Sequence, residues 1–309
     1  MYKKSAKTLI NLYSRSPVER RNLRNGLLFI SPWLVGFAIF TAYPIAASLY
    51  YSMCRYRVLS PPEFVGLANY AKLAHDEYFW KALGNTVFML IEVPLGVIFG
   101  LGIALLLNQK LKGMAFFRTV FYLPAVVPVV ASAMVWLWVL NPQYGLLNDF
   151  LGKLGLPALP WLASPAWSKP SMIMMDLWAV GAGMIIYLAA LQGVPEQLYE
   201  AAELDGASGW QKIRHVTIPQ VSPVIFYLSI MGIIGAFQYF TQTFIMTQGG
   251  PDNSTLFYAL YLFQNAFERF KMGYACAMAW VLFILTLGAT LVIFKTSARW
   301  VYYEGESGG

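Results

Sequence analysis

The sequence predicts an all-α, polytopic membrane protein with six transmembrane helices. Composition is the first reason: 58% of the 309 residues are hydrophobic and only 12% are charged, about half the charged share of an ordinary soluble domain. Spacing is the second. The ionisable residues gather in clusters, and the six apolar intervals between them each approach the roughly 20 residues that cross a hydrocarbon core. Third, no internal repeat or low-complexity tract interrupts the series, so residues 1–309 read as a single transmembrane domain.

The first interval lies within Asn25 to Cys54, between Arg24 and Arg55. The second runs from about Ala82 to Gln109 and is interrupted only by Glu92, close to Pro94. The third lies within Thr119 to Leu140, and the fourth runs from about Ser171 to Val194 with Asp176 near its start. The fifth extends from about Gln220 to Met246 and the sixth from Met272 to Phe294. Pro44, Pro94, Pro124 and Pro128 interrupt the first three spans, and each freed backbone group must find a partner inside the bilayer. Gly96, Gly100, Gly102, Gly232 and Gly235 are expected to let helices approach closely. Kinked, closely packed helices also suit a gate.

An even number of spans places both termini on one side. Lys3, Lys4, Lys7, Arg15, Arg20, Arg21, Arg24, Lys110, Lys112, Arg118, Lys212, Arg214, Lys295 and Arg299 fall on that side, against Arg55, Arg57, Lys72, Lys81, Lys153, Lys169, Arg269 and Lys271 on the other. Cytoplasmic loops carry the excess of lysine and arginine, so both termini, including a tail over 1–25, are expected in the cytoplasm. This distribution accounts for the formal charge of +7 without a nucleic-acid partner. The N-terminal apolar stretch is long enough to span and is expected to remain as the first helix rather than act as a cleaved signal. Cys54 and Cys276 are too few for a disulfide framework; two small buried thiols are expected, with a bridge between them left open.

One stretch departs from this oily background. Residues 195–219 form a polar hairpin between the fourth and fifth spans: Pro195 at a helix start, Glu196, Glu200 and Glu203 three and four apart, and Gly206 as a stop. Leu198, Ala201, Ala202 and Leu204 fall on or near its apolar side. A second helix is expected to end near Pro219.

Glu200-Ala201-Ala202, then Gly206, then Val216-Thr217-Ile218-Pro219 resembles the cytoplasmic "EAA" loop of permease subunits in binding-protein-dependent ABC importers. Val216 and Ile218 stand where that family more often has Ile and Leu. Phe64-Val65-Gly66-Leu67-Ala68-Asn69-Tyr70, the run Phe117 to Pro124, the run Trp138 to Asn148, and the run Met246 to Pro251 resemble the carbohydrate-uptake branch, on the side of the maltose-type first permease subunit. The likeness extends from about Leu27 to Phe294. The sequence departs from the maltose-type subunit in showing neither an enlarged outer loop nor extra N-terminal spans, so a substrate other than maltose is expected.

The resemblance implies a type I importer permease in a bacterial or archaeal plasma membrane. It would pair with a second homologous permease, sit on two cytoplasmic ATPase subunits and receive a sugar or related polyol or glycerol derivative from an extracytoplasmic solute-binding protein. Glu200, Ala201, Ala202, Gly206 and Pro219 would then couple the ATPase to the membrane. No phosphate-binding loop occurs and His75 and His215 have no catalytic companions. The chain is therefore expected to be no enzyme and to bind neither metal nor cofactor, with ATP and Mg held by the ATPase subunits. The alternative is a stand-alone channel or scaffold whose Glu200 hairpin binds another cytoplasmic protein.

Sugars are held by aromatic faces and by amide or hydroxyl hydrogen bonds, and such groups at membrane depth are costly unless they line a cavity or pair across helices. Gln238, Tyr239, Thr241 and Gln242 in the fifth span, and Trp178 with Gly181 and Gly183 in the fourth, are candidates for the substrate path. The resemblance places substrate contacts around Ala236 and Tyr239. An ionised Glu92 would cost at least a few kcal/mol in the bilayer, so it is expected to be paired, wetted or protonated. A structural pairing with a neighbouring helix or the second permease is favoured over a place in the path.

Overall fold

The computed structural model describes residues 16–109 and 111–302. Lys3, Lys4, Lys7, Arg15 and Lys110 lie outside the described residues, as does the first part of the tail over 1–25. Helix α1 (Pro17–Phe37) starts within that tail. Ser16 accepts a hydrogen bond from the Glu19 amide while the Glu19 carboxylate accepts from the Ser16 amide, a reciprocal cap that starts the helix before the apolar interval begins. Pro44 has no N–H to give to the preceding turn, and the ladder slips to a wider π register over Ala38–Ala42 before resuming as α2 (Tyr43–Ser52). The first span is thus one helix over Pro17–Ser52.

A short hairpin of β1 (Cys54–Arg55) and β2 (Glu63–Phe64) and helix α3 (Ala68–Ala74) follow. The second span joins α4 (Glu77–Met89) to α5 (Glu92–Leu107) across a break at Leu90 and Ile91, where Pro94 cannot donate back. The third, expected over Thr119 to Leu140 with interruptions at Pro124 and Pro128, is sharply bent. Its halves, α6 (Met114–Val126) and α7 (Val129–Val139), meet at 98° because Pro128 forces the chain into extended backbone at Val127. Helix α8 (Leu146–Lys153) lies in the next loop. The fourth span pairs α9 (Pro165–Trp178) with α10 (Gly181–Gln192) at 46°.

The hairpin contributes α11 (Glu196–Leu204) and α12 (Gly209–Lys212). The expected end near Pro219 does not occur. The helix passes through a π segment over Ile213–Thr217 into α13 (Ile218–Phe237), where Pro219 sits in the first turn with its missing N–H at no cost. After a break, α14 (Thr241–Met246) completes the fifth span; α15 (Tyr258–Phe263) and α16 (Met272–Ser297) finish the fold. Among the described residues, four helical stretches are long and apolar enough to cross a membrane, six when each of the two bent pairs is taken as one span.

Span two packs on span four, span one on span six, and span five on both span six and span two. Gly100 and Gly232 provide the close approach expected of them: an added Cβ would lie 3.2 Å from the Tyr187 ring and 3.3 Å from Val93. Gly96, Gly102 and Gly235 do not, having open space instead. Cys54 is buried and Cys276 half-buried, and both are free thiols.

On the side opposite the hairpin, Asp76 ties three elements together. It caps α4 by accepting from the Tyr78 and Phe79 amides, and it accepts from the hydroxyls of Tyr261 at 2.6 Å and of Tyr274. Burial alone would raise its pKa, but these hydrogen bonds together outweigh burial and hold the carboxyl below its usual range. A depressed pKa contributes stability that is present above the unfolded-state value and lost as pH falls through the folded-state value. Asp76→Asn is therefore expected to unfold at a lower temperature than the native chain at neutral pH, with the difference vanishing under strongly acidic conditions, as thermal melts across that range would show.

Candidate functional site

Three helix breaks converge on one polar cluster inside the membrane. They fall at Leu90–Ile91, at Ala179–Val180 and at Gln238–Phe240. Non-helical backbone at membrane depth is tolerated only where it is buried in protein or lines a cavity, and each break carries a polar side chain: Glu92, Asp176, and Tyr239 with Gln242. At 1.5 Å per residue, Glu92 stands about 22 Å from the hairpin-side end of α5.

Glu92 and Asp176 face a cavity of about 260 Å³, closed by Tyr187 and by Gly96, Gly183 and Gly232. The Gln242 amide donates to Asp176 Oδ1 at 3.3 Å. Asp176 Oδ2, Tyr187 Oη and Tyr239 Oη are buried without a hydrogen-bond partner, three of the five such side-chain atoms among the described residues. Tyr239 Oη stands beside the Asp176 carboxylate but completes no well-formed hydrogen bond to it. Orphaned polar atoms cost about 1–3 kcal/mol each, so a cavity lined by two of them, Asp176 Oδ2 and Tyr187 Oη, with Tyr239 Oη beside Asp176, is suited to a guest or to a second conformation that satisfies them.

The structure brings Glu92, Tyr239 and Gln242 into this cluster and places the other candidates elsewhere. The Tyr239 ring itself is core, edge-on to Phe257 at 5.2 Å. Trp178 does not join this cluster: it is 43% exposed and edge-on to Trp136 at 5.9 Å. Gln238 is exposed at the end of α13. Gly181 is a packing residue pressed on the Phe121 carbonyl, whereas Gly183 does border the cavity. Asp176 is eleven residues into its helix, not near the start of the span. Lys169 misled the count: it lies within α9 because its ammonium donates to Asn85 Oδ1 at 3.0 Å and rests over the Phe88 ring. An acid in an apolar run was the signal available for Asp176, the same that singled out Glu92.

The hairpin presents a second surface. Gly206 adopts φ +77° between α11 and α12, a conformation that favours glycine. Lys212 binds Glu203 at 2.7 Å, and Tyr199 and Thr217 share a hydrogen bond at 3.0 Å, so the hairpin is braced against the foot of span five. Glu200 is exposed, and Leu204 and Trp210 are 90% and 67% exposed. Ala201 and Ala202 lie on the same helix, and Pro219 lies beyond the brace. Among the described residues no group of three His, Cys, Asp or Glu side chains gathers to hold a metal.

Residues 93–301 match the family described as the binding-protein-dependent transport system inner membrane component. The chain is 40% identical over 299 residues to a probable ABC transporter permease protein, YesP, of Bacillus subtilis, covering 95% of this chain and 96% of that protein. It is 36% identical to the lactose transport system permease protein LacF of Rhizobium radiobacter, with 88% and 93% covered. The fold matches a chain of a bacterial alginate ABC transporter solved in complex with an alginate pentasaccharide-bound periplasmic protein, with a TM-score of 0.79 and 23% identity over 94% of this chain and 98% of that one. The chain belongs to the binding-protein-dependent transport family of inner-membrane permeases. It is a multi-pass membrane transport component, and the stand-alone scaffold reading finds no support.

Proposed function

We propose that the chain is one of two homologous permease subunits of an ATP-driven importer for a sugar or a related polyol or glycerol derivative. An extracytoplasmic solute-binding protein delivers the substrate, and two cytoplasmic ATPase subunits hold ATP and Mg and engage the hairpin. Both termini lie in the cytoplasm. The cavity at the three helix breaks carries this reading, because a bilayer interior holds two acids, an amide and two phenols together only for pairing or passage. Relatives named for lactose and for trehalose/maltose transport support the substrate class.

The test is uptake in a complex reconstituted from this chain, its partner permease and the ATPase. ATP-dependent sugar uptake is expected. Gln242→Ala, and Tyr239→Phe, which keeps the ring packing, are each expected to lower uptake about tenfold while ATPase retention and basal hydrolysis stay unchanged, a loss equivalent to roughly 1.4 kcal/mol. Full uptake in both variants would remove Tyr239 and Gln242 from the path, and a complex purified without any ATPase would overturn the importer reading.

A further inference from the structure

A pocket of about 270 Å³ opens at the end of spans one and six opposite the hairpin, lined by Arg55, Arg57, Lys72, Lys271, Tyr56 and Tyr274. Its frame is rigid. Asn69 donates to the carbonyls of Ser52 at 2.8 Å and Cys54 at 2.9 Å, and the Gly273 amide donates to the Tyr56 carbonyl at 3.1 Å. Gly273 fits there only because it has no side chain; a Cβ would overlap the Cys54 carbonyl oxygen.

The charge inside is not balanced. Glu63 is paired with Arg55, at 3.4 Å. Asp76, the other nearby acid, is already engaged by two tyrosine hydroxyls and two amides. Among the described residues, no carboxylate forms an ion pair with Arg57, Lys72 or Lys271. Partial burial, with Lys72, Arg269 and Arg57 close by, holds the Lys271 ammonium below its usual pKa. The start of the long helix α16 adds its positive dipole end.

The surroundings are apolar and aromatic. Phe64 and Phe270 stand next in sequence to the pocket-lining Val65 and Lys271 and are half-exposed or more, as is Tyr50; Ile45 and Leu49 are exposed one turn apart on α2, the helix that leads into the pocket. Basic groups beside exposed aromatic rings at a span end mark the headgroup level of a bilayer, and the α2 face offers a track for an acyl chain.

We propose that this pocket binds the phosphate of an anionic phospholipid headgroup, with an acyl chain laid along Ile45 and Leu49. The site depends on neither the transported substrate nor the orientation of the chain, since a span end meets a leaflet in either case. Titration of the full-length protein in detergent with dioctanoyl phosphatidylglycerol, dioctanoyl phosphatidylcholine or inorganic phosphate, read by native mass spectrometry, tests it. Phosphatidylglycerol is expected to be retained about tenfold more tightly than phosphatidylcholine, and Lys72→Gln and Lys271→Gln are each expected to weaken it about fivefold. Lys72→Arg should keep most of the affinity. Equal retention of the two lipids by the native protein overturns the proposal without recourse to any variant. Displacement of the lipid by inorganic phosphate at matching concentration makes this a free-anion site and overturns it. So do variants that hold the lipid unchanged but lose capture of the solute-binding protein, which would assign the cations to an acidic protein surface.

Discussion

Replacing Gly181 with valine is expected to abolish recovery of folded protein from membranes. Gly181 opens α10 directly against the bent third span, where an added Cβ would overlap the Phe121 carbonyl oxygen and lie 2.9 Å from Tyr122 Cα. Both obstacles are backbone, so no rotamer change relieves them; relief requires spans three and four to separate. Overpacking in a fixed interior costs about 1–3 kcal/mol even where side chains can move, and here the larger residue also tilts the break that presents Asp176. Gly183→Ala is the control, because its nearest neighbour would be Leu228 Cδ1 at 3.8 Å. Thermal melts and monodisperse yield in detergent should separate the two, and equal behaviour would show that spans three and four have slack.

Gly206→Val should leave the membrane domain intact and uncouple it. Nothing lies within 4 Å of an added Cβ at Gly206, so the cost is that of a β-branched residue held at φ +77°, roughly 1–2 kcal/mol. The chain can escape only by turning α11 relative to α12, which misplaces Glu200 and the exposed Leu204 and strains the Lys212–Glu203 pair. In the reconstituted complex, substrate-stimulated hydrolysis and uptake are both expected to fall at least about tenfold. Glu200→Ala removes one exposed charge, typically worth about 1 kcal/mol or less, and should cost less. Native uptake with full ATPase retention in both variants would reduce the hairpin to a connector.

The spans were readable because crossing a bilayer needs a long apolar run, and a run is a one-dimensional property. The hairpin was readable because its acids and glycine are local signals. Residue type alone flagged Glu92, Tyr239 and Gln242 together with Trp178 and Gln238, because chemistry without direction cannot say which of them gather at one cluster. Orientation is set by packing: Trp178 packs against Trp136, while Asp176 turns toward Gln242. The start of span four was misplaced because Lys169 interrupts the apolar count, although its charge is accommodated by Asn85 on span two. The 98° bend in span three needed coordinates, as proline signals a break but not its angle.

The unbroken passage of helix through Pro219 turns the fifth span into a lever arm. From Gly209 to Phe237 it measures about 43 Å at 1.5 Å per residue, and a tilt of about 5° at the hairpin would carry its far end by about 4 Å. That far end is the hinge carrying Tyr239, with Gln242 and its bond to Asp176 just beyond. A small rocking motion at the hairpin would thereby be magnified at the membrane-embedded bond between Gln242 and Asp176. A helix ended at Pro219 would have absorbed the same motion in its joint.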